Sequence, residues 1–428
     1  MTTAVTIAYW TFDGNVLDYY NVYNNGVTTG SYSVPNISNL TNIGRGQAMS
    51  FDATLNQSFR LSSPTINLSY RSFTVEAWIY VATLIPVADR GIFGQCQCST
   101  CANQCFYFVY RNGRLFVDFS LNDLNGATSI ALNTWCHVAF VYNYDTKQQI
   151  LYVNGVQDAI KSNAAAYQGV NASIYIGASR IYSSTAFFNG FIDNVLLTTR
   201  AKTASEILQD ASIVAYYSFD LPNPERDRSL NRIDGTLTNH VTIVGRVNQA
   251  IRIYGNGSYF SAYGFPQLSQ GLISNKTFSL SLWIYPTVGG SLSIAQTTPT
   301  NPTLCTNLLG IYSLTSSSVY GQLVVSATNT GQPPLVGPFV SQNTWTHVTL
   351  TYSQANGYTL YTNGVLFGST GSGVAAPPTS GSFAYLNIGF QTTCSSINSY
   401  TSFQGGIDEV YIHNRELTQA DVTALANP

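Results

Sequence analysis

Ser72-Phe-Thr-Val-Glu-Ala-Trp-Ile-Tyr80 and Thr277-Phe-Ser-Leu-Ser-Leu-Trp-Ile-Tyr285 are one pattern written twice. In the first, Phe73, Val75, Ala77 and Ile79 alternate with Thr74, Glu76, Trp78 and Tyr80. In the second, Phe278, Leu280, Leu282 and Ile284 alternate with Ser279, Ser281, Trp283 and Tyr285. A period of two belongs to a β-strand with one apolar face.

The repetition extends outward in both directions. Ala8-Tyr-Trp-Thr-Phe-Asp13 returns as Ala215-Tyr-Tyr-Ser-Phe-Asp220, and Asn133-Thr-Trp-Cys-His-Val138 as Asn343-Thr-Trp-Thr-His-Val348. Leu151-Tyr-Val-Asn-Gly-Val156 matches Leu360-Tyr-Thr-Asn-Gly-Val365, and Gly190-Phe-Ile-Asp-Asn-Val195 matches Gly405-Gly-Ile-Asp-Glu-Val410. Collinear matches of this kind mark a tandem duplication, with domains expected at 1–210 and 211–428. Asn112-Gly113, Asn154-Gly155 and Asn363-Gly364 are expected hairpin turns, since Asn-Gly supplies the positive φ values of a type I′ turn. Thr203-Ala-Ser-Glu206 and Thr418-Gln-Ala-Asp421 are capping boxes that predict one short helix at the end of each copy. The first helix is expected to end near Gln209-Asp210. That leaves a three-residue connection and a semi-rigid tandem.

Composition agrees. Of 428 residues, 13% are aromatic and 9% charged, against a usual ~25% charged. A formal charge of −2 and four lysines provide no basic stripe, which argues against a nucleic-acid partner. No apolar run approaches the ~20 residues of a membrane span. Met1-Thr-Thr-Ala-Val5 does not read as a signal peptide, so the chain is either cytosolic or the mature part of something longer. The cysteines favour the second alternative and a location outside the cell or on its surface.

Taken together, the opening aromatic-x-Phe-Asp, the Phe-(Ser/Thr)-x-x-x-Trp-Ile strand, the Trp-x-His-Val strand, the Asn-Gly-Val hairpin and the closing Ile-Asp-x-Val followed by Arg200 or Arg415 resemble the laminin-G-like, concanavalin-A-like jelly-roll domains. The resemblance covers nearly the whole chain, twice. It implies an all-β protein of two tandem antiparallel sandwiches of roughly a dozen strands each, every copy closed by a short C-terminal helical turn.

Glucanases share such folds, and their retaining chemistry needs two carboxylates about 5 Å apart, typically as Glu-x-Asp-x-Glu along one strand. That triplet is missing, and Glu76 stands alone with Ser281 as its counterpart. His137 and His347, in mid-strand after a Trp, read as hydrogen-bonded core histidines. No cofactor is required by any motif. By resemblance, a structural calcium could use Asp13, Asp18 and Asp193 in copy one and Asp220, Asp227 and Asp408 in copy two. The competing reading is that these aspartates cap turns.

Cys96, Cys98, Cys101 and Cys105 could bind zinc or form disulfides. Disulfides are favoured, with Cys136 joined to a cluster member and Cys305 paired with Cys394. Asn36, Asn39, Asn56, Asn67, Asn171, Asn256 and Asn275 begin glycosylation sequons, about as many as composition alone would give. The function expected is that of a non-catalytic extracellular structural or adhesive glycoprotein, self-associating head to tail as the unit of an array or filament. The alternatives are a lectin-like module binding surface glycans through Trp78, Tyr80, Trp283 and Tyr285, and a divergent glycoside hydrolase.

Overall fold

The computed structural model describes residues 5–32, 46–83, 89–181, 184–255, 257–265, 277–288, 293–297, 305–312, 321–325, 334–374, 384–389 and 403–428. The chain divides into two compact units, the first reaching Ala211 and the second starting at Ser212. Each is a sandwich of antiparallel sheets, and the strand order is the same in both.

In the first unit, one sheet runs Val156–Lys161, Gln148–Val153, Trp135–Asn143, Phe73–Val81, Gly190–Thr198, Met49–Phe51, Ser31–Tyr32, with Ile7–Trp10 also paired to Gly190–Thr198. The facing sheet runs Leu124–Asn125, Arg114–Asp118, Cys105–Arg111, Arg90–Cys96, Ile174–Ile176, Phe59–Leu61, Gly26–Thr28. In the second unit, the corresponding sheets extend from the edge strand Val365–Ser369 to His240–Val244, and from Leu335–Val340 to Gly235–Thr238. Phe73, Val75, Ala77 and Ile79 enter the first core, and Phe278, Leu280, Leu282 and Ile284 the second. The alternation that marked the strand therefore sets its inner face.

The outer face of that strand is also buried, which period two alone does not foresee. Thr74 and Glu76 are sealed, because the C-terminal helix of the unit, Ala204–Ser212, packs over the sheet with Ile207 against Ala139, Val141 and Tyr152. Both copies clamp the segment leading into the helix with one hydroxyl. Thr74 Oγ1 donates to Arg200 O at 2.8 Å and accepts from Lys202 N at 3.0 Å. Ser279 Oγ does the same with Arg415 O at 2.7 Å and Leu417 N at 3.0 Å. The capping boxes form as expected at Thr203/Glu206 and Thr418/Asp421, each reinforced by an ion pair, Arg200–Glu206 and Arg415–Asp421.

The Asn-Gly turns take the foreseen backbone, with φ 50 and 84 at Asn112-Gly113, 50 and 79 at Asn154-Gly155, and 47 and 79 at Asn363-Gly364. Two of these asparagines also brace the neighbouring strand. Asn154 Oδ1 accepts from His137 N, and Asn363 Oδ1 from His347 N, both at 3.0 Å. The first helix runs two residues beyond the expected end, to Ser212, and the strand Ile213–Tyr217 follows without a connecting residue. Its last turn persists because Asp210 is tied to Lys202 and Ala211 lies against Gly155.

Candidate functional site

Glu76, the one acidic residue on its strand, is 1% exposed beneath the helix. Its Oε1 accepts from Lys202 Nζ, which also donates to Asp210 on the helix, and His137 Nε2 lies 3.6 Å from its Oε2. Burial pushes the Glu76 carboxyl up, against the pull of the Lys202 ammonium. Burial drives His137 down to about 3, helped by Lys202, so the imidazole is neutral at ordinary pH. In the second unit the same places hold Ser281, Leu417 and Leu425. Ser281 Oγ sits 2.8 Å from His347 Nε2 and accepts from Thr349 Oγ1 at 3.0 Å. Leu417 and Leu425 instead join Tyr361 and Val422 in an apolar cluster. Sequence reasoning left Lys202 and Asp210 unmentioned. The signal available was that all three positions lose charge together between the copies.

The six aspartates do not assemble a cation site. Asp18 Oδ1 accepts from Tyr9 N and Tyr20 N, and Oδ2 from Val22 N and Tyr23 N, at 2.8 to 3.3 Å. Asp227 likewise takes Tyr216 N, Ser229 N and Oγ, and Ile233 N at 2.8 to 2.9 Å. Asp13 accepts from Gln47 N and Asp220 from Gln249 N. Asp193 and Asp408 hold the N–H of the following residue, Asn194 or Glu409. Both following residues sit at φ 50, at a bulge where the ladder shifts register. Asp408 Oδ2 also accepts from Arg246 N and Val247 N, and burial pushes its carboxyl up to about 7. Among the described residues no cluster of three metal-binding side chains occurs. The contacts described for these aspartates are those of turn- and bulge-capping side chains.

The cysteine cluster closes on itself. Cys96 pairs with Cys105, directly opposite in the ladder between Arg90–Cys96 and Cys105–Arg111, and Cys98 pairs with Cys101. The expected link from Cys136 is corrected. Its strand turns it into the core opposite Ile79, where it remains a buried thiol pushed up to about 12 by desolvation. Cys394 and the side chain of Cys305 lie outside the described residues, as do Asn36, Asn39, Asn256 and Asn275. Asn56, Asn67 and Asn171 are exposed.

The tryptophans expected to stack on sugars are covered. Trp78 and Trp283 are 7% and 5% exposed, lie against His137 and His347 at 5.4 and 5.2 Å, and Arg246 covers the Trp283 ring at 4.8 Å. Tyr80 and Tyr285 are partly exposed but pack against Trp135 and Trp345.

Another aromatic surface, not foreseen, lies on the outer face of the second unit's other sheet. Phe260, Leu386 and Ile388 point into the core, so Ser261, Tyr263, Tyr385 and Asn387 point away from it. Tyr263 and Tyr385 are direct cross-strand partners with ring centroids 4.5 Å apart, both half-buried. One step along, Ser261 Oγ donates to Asn387 Oδ1 at 2.7 Å. In the first unit the positions matching Tyr263 and Tyr385 are Ser62 and Ser173, whose hydroxyls are hydrogen-bonded at 3.2 Å, and a hairpin covers the strands farther along that sheet. The hairpin Ala178–Ile181/Ser184–Phe187 lies on Gly91 and Gly94, where an added Cβ would meet Ser179 backbone at 2.3 and 3.1 Å, and Ser179 Oγ donates to Phe93 O at 2.7 Å. Ala186 packs there against Tyr107, Val109 and Phe116, beside the Cys96–Cys105 bond.

Among solved structures, the chain is similar to domain 4 of AbnA, a GH43 extracellular arabinanase from Geobacillus stearothermophilus, in complex with arabinotriose. The identity there is 19% over 48% of this chain and 98% of that one, with a TM-score of 0.38. The binding domain of Paraclostridial Mosquitocidal Protein 1 is 14% identical over 96% and 91%, TM-score 0.39. Domains LG4-5 of the mouse laminin alpha1 chain are 12% identical over 84% and 88%, TM-score 0.25. No curated protein matches the chain in sequence. The model of one family matches residues 51–208 and again 260–423, the two sandwiches just described, and the chain belongs to that family, the concanavalin A-like lectin/glucanases superfamily.

Proposed function

We propose that this chain is a non-catalytic recognition and adhesion protein that works outside the cell, and that its second unit holds a saccharide against Tyr263 and Tyr385. The observation that carries the reading is that tyrosine pair, half-buried and in ring contact across two strands of one sheet face. Aromatic rings offer an apolar surface to the C–H face of a sugar, and a partly exposed hydroxyl beside them, that of Ser261, can orient the sugar's own hydroxyls. In the first unit the matching positions hold Ser62 and Ser173 in place of the two tyrosines, so the proposed division of labour is one binding unit and one scaffold unit. The superfamily includes glucanases as well as lectins, and Glu76, enclosed with Lys202, has no access to a substrate. In that setting the exposed sequons Asn56, Asn67 and Asn171 would carry glycans.

Titration of the full chain against a panel of oligosaccharides by calorimetry tests this. At least one neutral oligosaccharide should bind, and Tyr263→Ala with Tyr385→Ala should weaken it at least tenfold without moving the unfolding midpoint. Failure of every glycan to bind, or binding unchanged in the double variant, would overturn the proposal.

A further inference from the structure

The two disulfides of the first unit differ in what they hold and in what covers them. Cys96–Cys105 joins directly opposed residues of neighbouring strands. Cys105 is fully buried, and the bond packs with Tyr107, Val109, Phe116 and Ala186, its Cys105 Sγ 3.2 Å from Arg180 O of the covering hairpin. Cys98–Cys101 is nested inside it. It closes a ring of four residues, Cys98-Ser-Thr-Cys101, within a loop whose two ends the first bond already holds. A cross-link stabilises mainly by restricting the unfolded chain, and the effect shrinks with the loop it closes, so this second bond has little left to restrict. The loop is also tied down without it. Gln97 N donates to Gln104 O at 3.0 Å, Asn103 N to Ser120 O at 3.0 Å and Gln168 N to Asn103 O at 2.7 Å, while Gln97 Oε1 accepts from Val170 N at 2.6 Å. Cys98 and Cys101 are both partly exposed, among the exposed Gln97, Thr100 and Ala102.

We propose that Cys98–Cys101 is a thiol-exchange site, opened by a small thiol while Cys96–Cys105 stays closed. The incoming thiolate attacks one sulfur of the pair, forms a mixed disulfide with it, and releases the other sulfur as a thiolate that takes a proton from water. A second small thiol then attacks the mixed disulfide through its own sulfur. The products are two protein thiols and one small-molecule disulfide, and the two electrons come from the two small thiols. Three features favour this bond over its neighbour. Exposed disulfides are the exchangeable ones, and the sulfurs of Cys98–Cys101 belong to partly exposed residues whereas Cys105 is sealed. Cys-x-x-Cys is the spacing of disulfides that exchange. The hydrogen bonds of the loop do not depend on the bond, so both thiols stay three residues apart in a held loop and close again by the reverse exchange with the small disulfide. The site lies in the first unit and is independent of the saccharide face.

Incubation of the full chain with graded mixtures of reduced and oxidised glutathione, followed by alkylation and peptide mass analysis, tests it. Cys98 and Cys101 should become available to the alkylating agent at least tenfold faster than Cys96 and Cys105. Cys98→Ser removes the resolving partner, so Cys101 should keep one glutathione as a lasting mixed disulfide. Cys98→Ser with Cys101→Ser should leave the unfolding midpoint of the first unit unmoved, which a bond needed for the fold would not allow. The wild-type rates require no variant, so the test stands if a variant fails to fold. Opening of both bonds at one rate, opening of Cys96–Cys105 first, no opening before the unit unfolds, or a midpoint lowered by the double variant as far as by loss of Cys96–Cys105 would each overturn the proposal.

Discussion

Glu76 is a carboxylate buried where the other copy manages with a serine, and the comparison says what its partners are for. Taking an ion out of water costs several kcal/mol, offset only by close partners, and Lys202 bound to both Glu76 and Asp210 is that partner. Lys202→Ala should therefore be strongly destabilising, by about 3–5 kcal/mol, because it strands a buried charge. Replacing the whole set, Glu76→Ser with Lys202→Leu and Asp210→Leu, copies the arrangement that the second unit already uses with Ser281, Leu417 and Leu425. Exchange of a buried ion set for well-packed apolar residues is often neutral or stabilising by about 1–4 kcal/mol. The triple variant should thus unfold at or above the wild-type midpoint in urea. A triple variant as damaged as Lys202→Ala would show that the charges do something more than satisfy one another.

Between elements, the Asn-Gly hairpin and the C-terminal helix form a matched pair in each unit. Gly155 is needed twice over, for its positive φ and because a Cβ there would come within 2.9 Å of Leu208 Cα. Gly364 has the same φ, but its nearest neighbour would be Ala426 Cβ at 3.1 Å. The left-handed backbone alone costs a non-glycine residue about 1–2 kcal/mol. Gly364→Ala should lose about that much, and Gly155→Ala distinctly more, by denaturant unfolding of each variant. Equal losses would remove the helix contact from the explanation. These turns and capping boxes were legible because their chemistry is local, with Asn beside Gly and Thr three residues before Glu or Asp. What covers a sheet was not legible. Lys202 lies 126 residues from Glu76, and Tyr263 and Tyr385 meet only through register across strands more than a hundred residues apart. Strand period likewise says which side chains share a face and not whether a hairpin or helix will roof it. This is why Trp78 and Trp283 looked available for stacking. The cysteine pairing was hidden for the same reason, since a ladder that puts Cys96 opposite Cys105 settles the choice of partner.

At the scale of the whole chain, the duplication has kept a framework and redistributed its supports. The first core is built on interlocked rings, with Phe73, Phe106, Phe119, Phe140, Tyr142 and Tyr167 in mutual contact, whereas Leu280, Leu282, Leu309, Leu350 and Leu360 fill much of the second. Each unit has its own core, so each should melt as its own cooperative body, and one overall midpoint would not describe the chain. The disulfide Cys96–Cys105 provides the means to assign the two transitions. A ten-residue loop of this kind is worth about 2.5 kcal/mol in the chain-entropy model, and about 2–4 °C of midpoint accompanies each kcal/mol in a domain near 200 residues. Replacing Cys96 and Cys105 by serine should lower one calorimetric transition by about 5–10 °C and leave the other in place. The unmoved transition is then the second unit's. A saccharide bound at Tyr263 and Tyr385 should raise that transition alone, since a ligand stabilises only the body that holds it. If both transitions drop together in the serine variant, the units unfold as one body and the division of labour between scaffold and binding unit loses its energetic basis.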